Sequence, residues 1–205
     1  MRKIWIAFAL ILAGAVPAMA QPAATATDPA AQQISRFYSA LTDTMKQGRA
    51  LGVQGRFRKL EPTVRQVFDL PTMTKLTVGT AWSTMSVRDQ QALIAAFTRM
   101  TVANYAKNFD TFSGEQFGVD PTVQTKGEDK LVSTRLIGAN RSVTPFVYRM
   151  RQVGGTWKVV DVFLNGYVSE LATRRADFAS TVASGGAPAL TAKINALADD
   201  LLKQG

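Results

Sequence analysis

Between residues 29 and about 108 the apolar positions of this chain recur every three to four residues. Between 122 and 164 they recur at every second residue, and beyond 168 the helical spacing returns. Asp28 reads as an N-cap with Pro29 at the first helical position. Ile34, Phe37, Tyr38, Leu41 and Met45 then fall on one face, and Gly48 stands where that helix would end. Phe57, Leu60, Val64, Val67 and Phe68 repeat the spacing. Pro62 lacks a backbone donor, so the pattern predicts a loop or short turn and then a helix beginning near Pro62. Pro71 opens a short helix carrying Met73 and Leu76 and stopped at Gly79. Ser86 to Asp89 forms a capping box with Asp in place of Glu. It opens the clearest helix, which keeps Leu93, Ile94, Phe97, Met100, Thr101, Asn104 and Tyr105 on one face for about five turns. Gly114 and Gly118 mark the exit from helix.

Three runs then read as strands, Leu131–Ile137, Phe146–Val153 and Thr156–Leu164, with a further one at Thr122–Lys126. Glu128-Asp129 and Gly154-Gly155 are turn signals, and the glycine pair demands a tight hairpin, so the sheet is expected to be antiparallel. Asn165-Gly166 ends the last strand. Helix resumes over Val168–Val182, and a final helix follows Pro188 with Leu190, Ile194, Leu197 and Leu201 as its buried face. Helices, then a meander of strands, then helices predict an α+β fold with helices packed on one face of a curved antiparallel sheet. No internal repeat interrupts it, and residues 29–205 are expected to form one domain.

The N-terminus follows a different logic. Arg2 and Lys3 form a basic start, Ile4 to Val16 an apolar run, and Ala18-Met19-Ala20 a small-x-small pattern. This is the layout of a signal peptide over 1–20, cleaved after Ala20. Its apolar run of about a dozen residues falls short of the roughly 20 that a spanning helix needs. Residues 21–28 read as a flexible leader. The expected product is an exported, soluble, monomeric protein.

The chain has no cysteine and no histidine. Those absences remove the commonest zinc ligands, thiol nucleophiles and every Ser-His-Asp or Cys-His arrangement. The formal charge is +9, falling by two when Arg2 and Lys3 leave. Arg56, Arg58 and Lys59 form the one tight basic group, and no basic-aromatic motif accompanies them, so nucleic acid is not an expected partner. The charge reads as a solvated surface, with weak attraction to anionic membranes or acidic partners second.

Candidate function begins with a surplus of apolar side chains. By strict alternation, Trp157, Val159 and Phe163 share one face of the last strand with Asp161, and Val160, Val162 and Leu164 share the other. A sheet with one solvated face would alternate polar with apolar more cleanly. The excess is either covered by helices or lines a cavity. The aromatic stretch of Phe97, Met100, Tyr105, Phe109, Phe112 and Phe117 suits both, and methionine adapts to either.

Several segments resemble a known family. These are Val64-Arg65-Gln66-Val67-Phe68-Asp69, then Met73, Val78-Gly79 and Trp82, and the long helix with Gln90-Gln91, Phe97 and Tyr105. Gly155-Thr156-Trp157-Lys158-Val159-Val160-Asp161-Val162 follows, then Asn165-Gly166-Tyr167-Val168-Ser169 and Arg174-Arg175-Ala176-Asp177-Phe178. Together, from about Ile34 to Leu202, they resemble the MlaC/toluene-tolerance lipid carriers. The segment 165–175 is most similar to the hopanoid-associated HpnM branch, where typical carriers read Gly-Val-Ser followed by a Tyr-Arg pair.

The resemblance implies an NTF2-like cone with extra helices enclosing an apolar cavity. It implies a periplasmic carrier, not an enzyme, that moves a phospholipid or hopanoid between membranes, with the lipid as cargo and no cofactor. An ABC lipid transporter with a membrane-anchored substrate-binding subunit is the implied inner-membrane partner, alongside an outer-membrane complex. Val67, Leu76, Trp82, Phe97, Met100, Phe109, Phe146, Tyr148, Val159 and Phe163 are the candidate cavity residues. Arg65, Arg149 and Arg174 are candidates for a headgroup or a docking partner. Two other readings stay open: an NTF2-like enzyme using Asp161 as acid or base with Tyr148 or Tyr105, and a packed interaction module without a ligand.

Overall fold

The computed structural model describes residues 27–203, so the expected signal peptide at 1–20 and most of the leader at 21–28 lie outside the described residues. The chain runs α1 (Pro29–Lys46), α2 (Gly48–Val67), α3 (Leu70–Val78), a short 3-10 turn (Gly79–Thr84) and α4 (Val87–Asn108). It continues through β1 (Gln116–Lys126), β2 (Asp129–Ile137), β3 (Val143–Val153), β4 (Thr156–Leu164) and β5 (Val168–Ser169), and ends in α5 (Glu170–Lys203). The five strands pair antiparallel in chain order as a meander. Helices cover one face of this sheet, which is the α+β layout expected from the pattern. Among the described residues, no helix is long and apolar enough to cross a membrane.

Local signals account for the helix starts. The Asp28 carboxylate accepts from the Ala30 N–H at 2.8 Å. Asp69 accepts from Thr72 at 3.2 Å, and Ser86 Oγ from Asp89 at 3.1 Å. Each cap satisfies a backbone donor that has no partner inside its helix.

The expected break before Pro62 is absent. α2 runs through it and bends instead at Gly52, whose φ of 58° and ψ of 176° are non-helical. Pro62 lies on the exposed face, where the carbonyl it leaves unpaired faces water. α1 stops at Lys46, just before Gly48, as the spacing predicts, and a Cβ at Gly48 would sit 1.7 Å from the Asp110 carbonyl oxygen. Glycine lets the start of α2 approach the chain leaving α4. Buried Arg56 ties the same corner, donating from Nε to Ala106 O at 2.7 Å and from NH1 to Gly48 O at 2.9 Å.

Three further details depart from the expected pattern. β1 begins at Gln116 rather than Thr122, because a bulge between Val119 and Val123, with Pro121 inside it, breaks the alternation on this edge strand. The last helix is the second part of α5 beyond a kink at Gly186, and it buries Leu190, Ile194, Ala198 and Leu202. Leu197 is exposed and Leu201 only half-buried, since the i, i+4 row rather than the leucine pattern faces inward. In β4, Asp161 pairs with Arg149 but Val159 pairs with Met150, so Val160 is an extra residue. The inward set therefore changes parity there, and Val159 and Phe163 point to opposite faces.

The core lies between sheet and helices. Phe37 meets Phe68 edge-on at 5.3 Å and Tyr105 at 5.1 Å, and Phe68 forms an isolated bridge to Val159. Phe178 brings α5 onto the same core.

Candidate functional site

Beside that packed region the side chains fail to meet, leaving a cavity of about 380 Å³. Its sheet wall is Phe117 of β1, Phe146 and Tyr148 of β3, and Val162 and Leu164 of β4. The α4 wall is Phe97, Met100, Thr101, Asn104 and Tyr105, with Asn108 and Phe109 at the helix end. Tyr38 and Phe68 close one side, Met73 another, and the first turns of α5 add Glu170, Leu171 and Arg174. Most of this surface is aromatic or aliphatic, which suits a water-insoluble ligand.

The polar groups are few and sorted. On the inner wall the Tyr38 hydroxyl is 2.7 Å from Thr134 Oγ1 and donates to the Tyr148 hydroxyl at 3.1 Å. Burial holds the Tyr38 phenol above its ordinary pKa and those of Tyr105 and Tyr148 further above, so all three are neutral dipoles. Tyr105 keeps some accessible surface where its ring faces the cavity. The charged lining groups are Glu170 and Arg174 of α5, and Glu170 lies close enough to Tyr105 to act on its phenol. Burial raises the Glu170 carboxyl above its usual range; Arg174 opposes this, and Asp161 and Asp177 reinforce it.

Of the candidate cavity residues, the structure brings Phe97, Met100, Phe109, Phe146 and Tyr148 together around this space. Val67 and Val159 are buried in solid packing outside it, and the Val159 carbonyl is held by the Asp69 N–H at 2.9 Å. Leu76 is 38% exposed on α3. Trp82 is half-buried in the 3-10 turn, its carbonyl accepting from Gln90 Nε2 at 3.0 Å. Phe163 lies on the opposite face of the sheet, in a separate groove with Arg149, Val147 and Leu131.

The three arginines separate in the same way. Arg65 is exposed and paired with Glu61 at 2.8 Å. Arg149 is on the far side of the sheet beside Asp129 at 3.2 Å. Arg174 lines the cavity. Asp161 does not line it: Oδ1 accepts from the N–H groups of Val162 (2.8 Å) and Leu171 (3.3 Å), and Oδ2 accepts from the Ser169 hydroxyl at 2.7 Å. Its carboxylate caps the start of α5.

Sequence reasoning missed Tyr38, Phe68 and Met73 as lining because their helical spacing is that of ordinary core. It missed Glu170 because an isolated polar residue carries no periodic signal. No group of three or more acidic residues able to hold a metal ion occurs among the described residues.

Comparison with known proteins agrees with this architecture. The toluene tolerance protein ttg2D of Pseudomonas putida is 27% identical over 101 residues, 49% of this chain. The match spans 47% of that relative's length, about half of it. A phospholipid-binding protein from Ralstonia solanacearum, solved in complex with a phospholipid, shares the fold. Its TM-score is 0.74 at 18% identity, over 84% of this chain and 98% of that one. The sequence model of the family described as MlaC protein matches residues 35–196, and the chain belongs to that family.

Proposed function

We propose that this protein is a soluble lipid carrier of the periplasm, taking a phospholipid or a hopanoid from one membrane system and delivering it to another. The observation that carries the reading is the apolar cavity between sheet and helices in a member of the MlaC family. Its volume of about 380 Å³ is near the lower end of the roughly 300–1,000 Å³ of small-molecule pockets. That accommodates one extended chain or one fused-ring skeleton; a second chain requires the helical layer to open. Phe97, Met100, Phe109, Phe146 and Tyr148 are the proposed lipid contacts.

Removing hydrocarbon from water gains about 0.8 kcal/mol per CH₂. A long acyl chain therefore contributes on the order of 10 kcal/mol before ordering costs. A carrier built this way retains its cargo unaided, so release needs a docking event. An ABC transporter with a membrane-anchored substrate-binding subunit at the inner membrane, and a complex at the outer membrane, are the proposed docking sites. Residues 1–20 would direct export with cleavage after Ala20. The segment 165–175 is the reason to retain the hopanoid-associated HpnM branch, and with it a polycyclic cargo, beside a phospholipid.

The enzymatic reading has no observation in its favour, because the Asp161 carboxylate is engaged as a helix cap away from the cavity. The test is mass spectrometry of organic extracts from the exported protein, purified from a hopanoid-producing bacterium. A stoichiometric phospholipid or hopanoid supports the carrier and chooses its cargo. A folded protein that stays empty after incubation with membranes overturns it.

A further inference from the structure

Two opposite charges, Glu170 and Arg174, stand one turn apart at the start of α5, and both line the cavity. Residues four apart share a helix face, with Cβ atoms about 5–6 Å from each other. Facing them from α4 are Thr101, Asn104 and Asn108. The two asparagines brace one another, Asn108 Nδ2 donating to Asn104 Oδ1 at 2.9 Å. Asn108 is exposed while Asn104, Glu170 and Arg174 are half-buried, so this polar quarter is where the cavity meets water. The three phenols occupy the inner wall and stay neutral. The charged groups of the lining are thus the Glu170 and Arg174 pair at the start of α5.

Glu170 and Arg174 feel each other's charge, but among the described residues neither is drawn into a close ion pair. The ion pairs join other residues, and no side-chain hydrogen bond engages the Glu170 carboxylate or the Arg174 guanidinium. Two opposite charges without a close ion pair or side-chain hydrogen bond, lining an apolar cavity, match a ligand with a hydrocarbon body and a head bearing both signs. We propose that Glu170 and Arg174 form a headgroup subsite selecting a zwitterionic phospholipid with a primary ammonium, Arg174 bonding to the phosphate and Glu170 to the ammonium. This rests on the carrier reading and narrows its cargo.

The chemistry discriminates among heads. A guanidinium offers several N–H donors to a phosphate, and the Asn104 and Asn108 amides line the same cavity. A primary ammonium donates charge-assisted hydrogen bonds to a carboxylate, whereas a trimethylated ammonium has no N–H to give. An anionic head with a glycerol end brings its phosphate to Arg174 but leaves Glu170 facing added negative charge. Burial already disfavours the ionised Glu170, and a bound cation relieves that cost.

The test uses delipidated full-length mature protein and vesicles holding equal amounts of ethanolamine-, choline- and glycerol-headed phospholipids with identical acyl chains. After re-isolation the bound lipids are quantified by mass spectrometry. Wild type is expected to enrich the ethanolamine lipid over the glycerol lipid by roughly tenfold, the value of one charge-assisted contact. Glu170→Gln is expected to lose that preference, and Glu170→Lys to prefer the glycerol lipid. Arg174→Gln is expected to lower the loading of all three. Thermal unfolding of each variant confirms that it is folded. Equal loading of the three lipids by wild type, or a preference unchanged in Glu170→Gln, overturns the subsite and leaves the carrier reading standing. A wild type that takes up none of them overturns both.

Discussion

The hydroxyl of Tyr38 donates to that of Tyr148 at 3.1 Å, joining α1 to β3 at the inner wall of the cavity. Thr134 Oγ1 lies 2.7 Å from the same Tyr38 oxygen, and the Tyr38 ring stacks on Phe117 with centroids 4.5 Å apart. Tyr38→Phe keeps the stacking and deletes the hydroxyl at the centre of the network. The other two hydroxyls then lose a partner where water is scarce, at a cost of about 1–2 kcal/mol. For a domain of this size that lowers Tm by roughly 2–8 °C. Thr134→Val added to Tyr38→Phe is expected to cost less than the two changes separately, because they break one shared bond. A Tm within a degree of wild type for Tyr38→Phe would show that the network does not stabilise the fold.

Met100 and Val159 separate a cavity wall from solid core. Both are buried, but Met100 borders the void and Val159 does not. Met100→Trp extends into empty space, so it should leave the urea midpoint near wild type while sharply reducing co-purifying lipid. Val159→Phe has no space to enter and is expected to cost about 1–3 kcal/mol through overpacking. Equal destabilisation by both changes would mean that the space beside Met100 is not open in solution.

The contrast shows what was legible in the sequence. Helix starts at Asp28 and Ser86 and the Gly154-Gly155 hairpin were readable because caps and tight turns are local chemistry. The inward face of α4 was readable for the same reason, and Phe97 and Met100 lie on it. Whether that face meets atoms or a void depends on elements distant in the chain, and periodicity cannot express it. Unbroken alternation puts Val159 and Phe163 on one face, and the extra residue Val160 sends them to opposite faces. Arg65, Arg149 and Arg174 look alike as residues, and only the fold sends them to an exposed helix, the far side of the sheet and the cavity rim. Gly48 is legible as the stop of α1, but its close approach to Asp110 is not, because that neighbour is remote in sequence.

Glu170 predicts a pH dependence with a definite sign. Burial raises its folded-state pKa above the ordinary glutamate value, so the folded state holds this proton more tightly than the unfolded state. Stability contributed by the group is present at low pH and is lost as pH rises through that raised value. Glu170→Gln removes the loss, so the Tm of the variant relative to wild type should be higher at pH 7 than at pH 4. The side chain is half-exposed and solvent screens it, which makes the effect small and its direction the quantity to measure. An opposite trend would mean that attraction to Arg174 outweighs burial. Asp161 and Asp177 also act on Glu170, so wild type and variant are compared at each pH.

Asp161 separates a structural carboxylate from a catalytic one. Its oxygens accept from the Val162 and Leu171 N–H groups and from the Ser169 hydroxyl, and Ser169 Oγ in turn accepts from Ala172 at 3.0 Å. The network fixes the first turn of α5, which carries the cavity residues Glu170, Leu171 and Arg174. Asp161→Ala strands these donors and is expected to cost about 2–4 kcal/mol, with a matching loss of lipid retention as the rim loosens. Asp161→Asn keeps one acceptor oxygen and should cost about 1 kcal/mol while retaining lipid. A proton-transfer role makes the opposite forecast, since the amide would abolish turnover of an apolar substrate in a protein of normal stability. Urea midpoints and lipid loading of the two variants therefore rank them differently under the two readings. A full-stability, lipid-loaded Asp161→Ala protein would remove the capping role altogether.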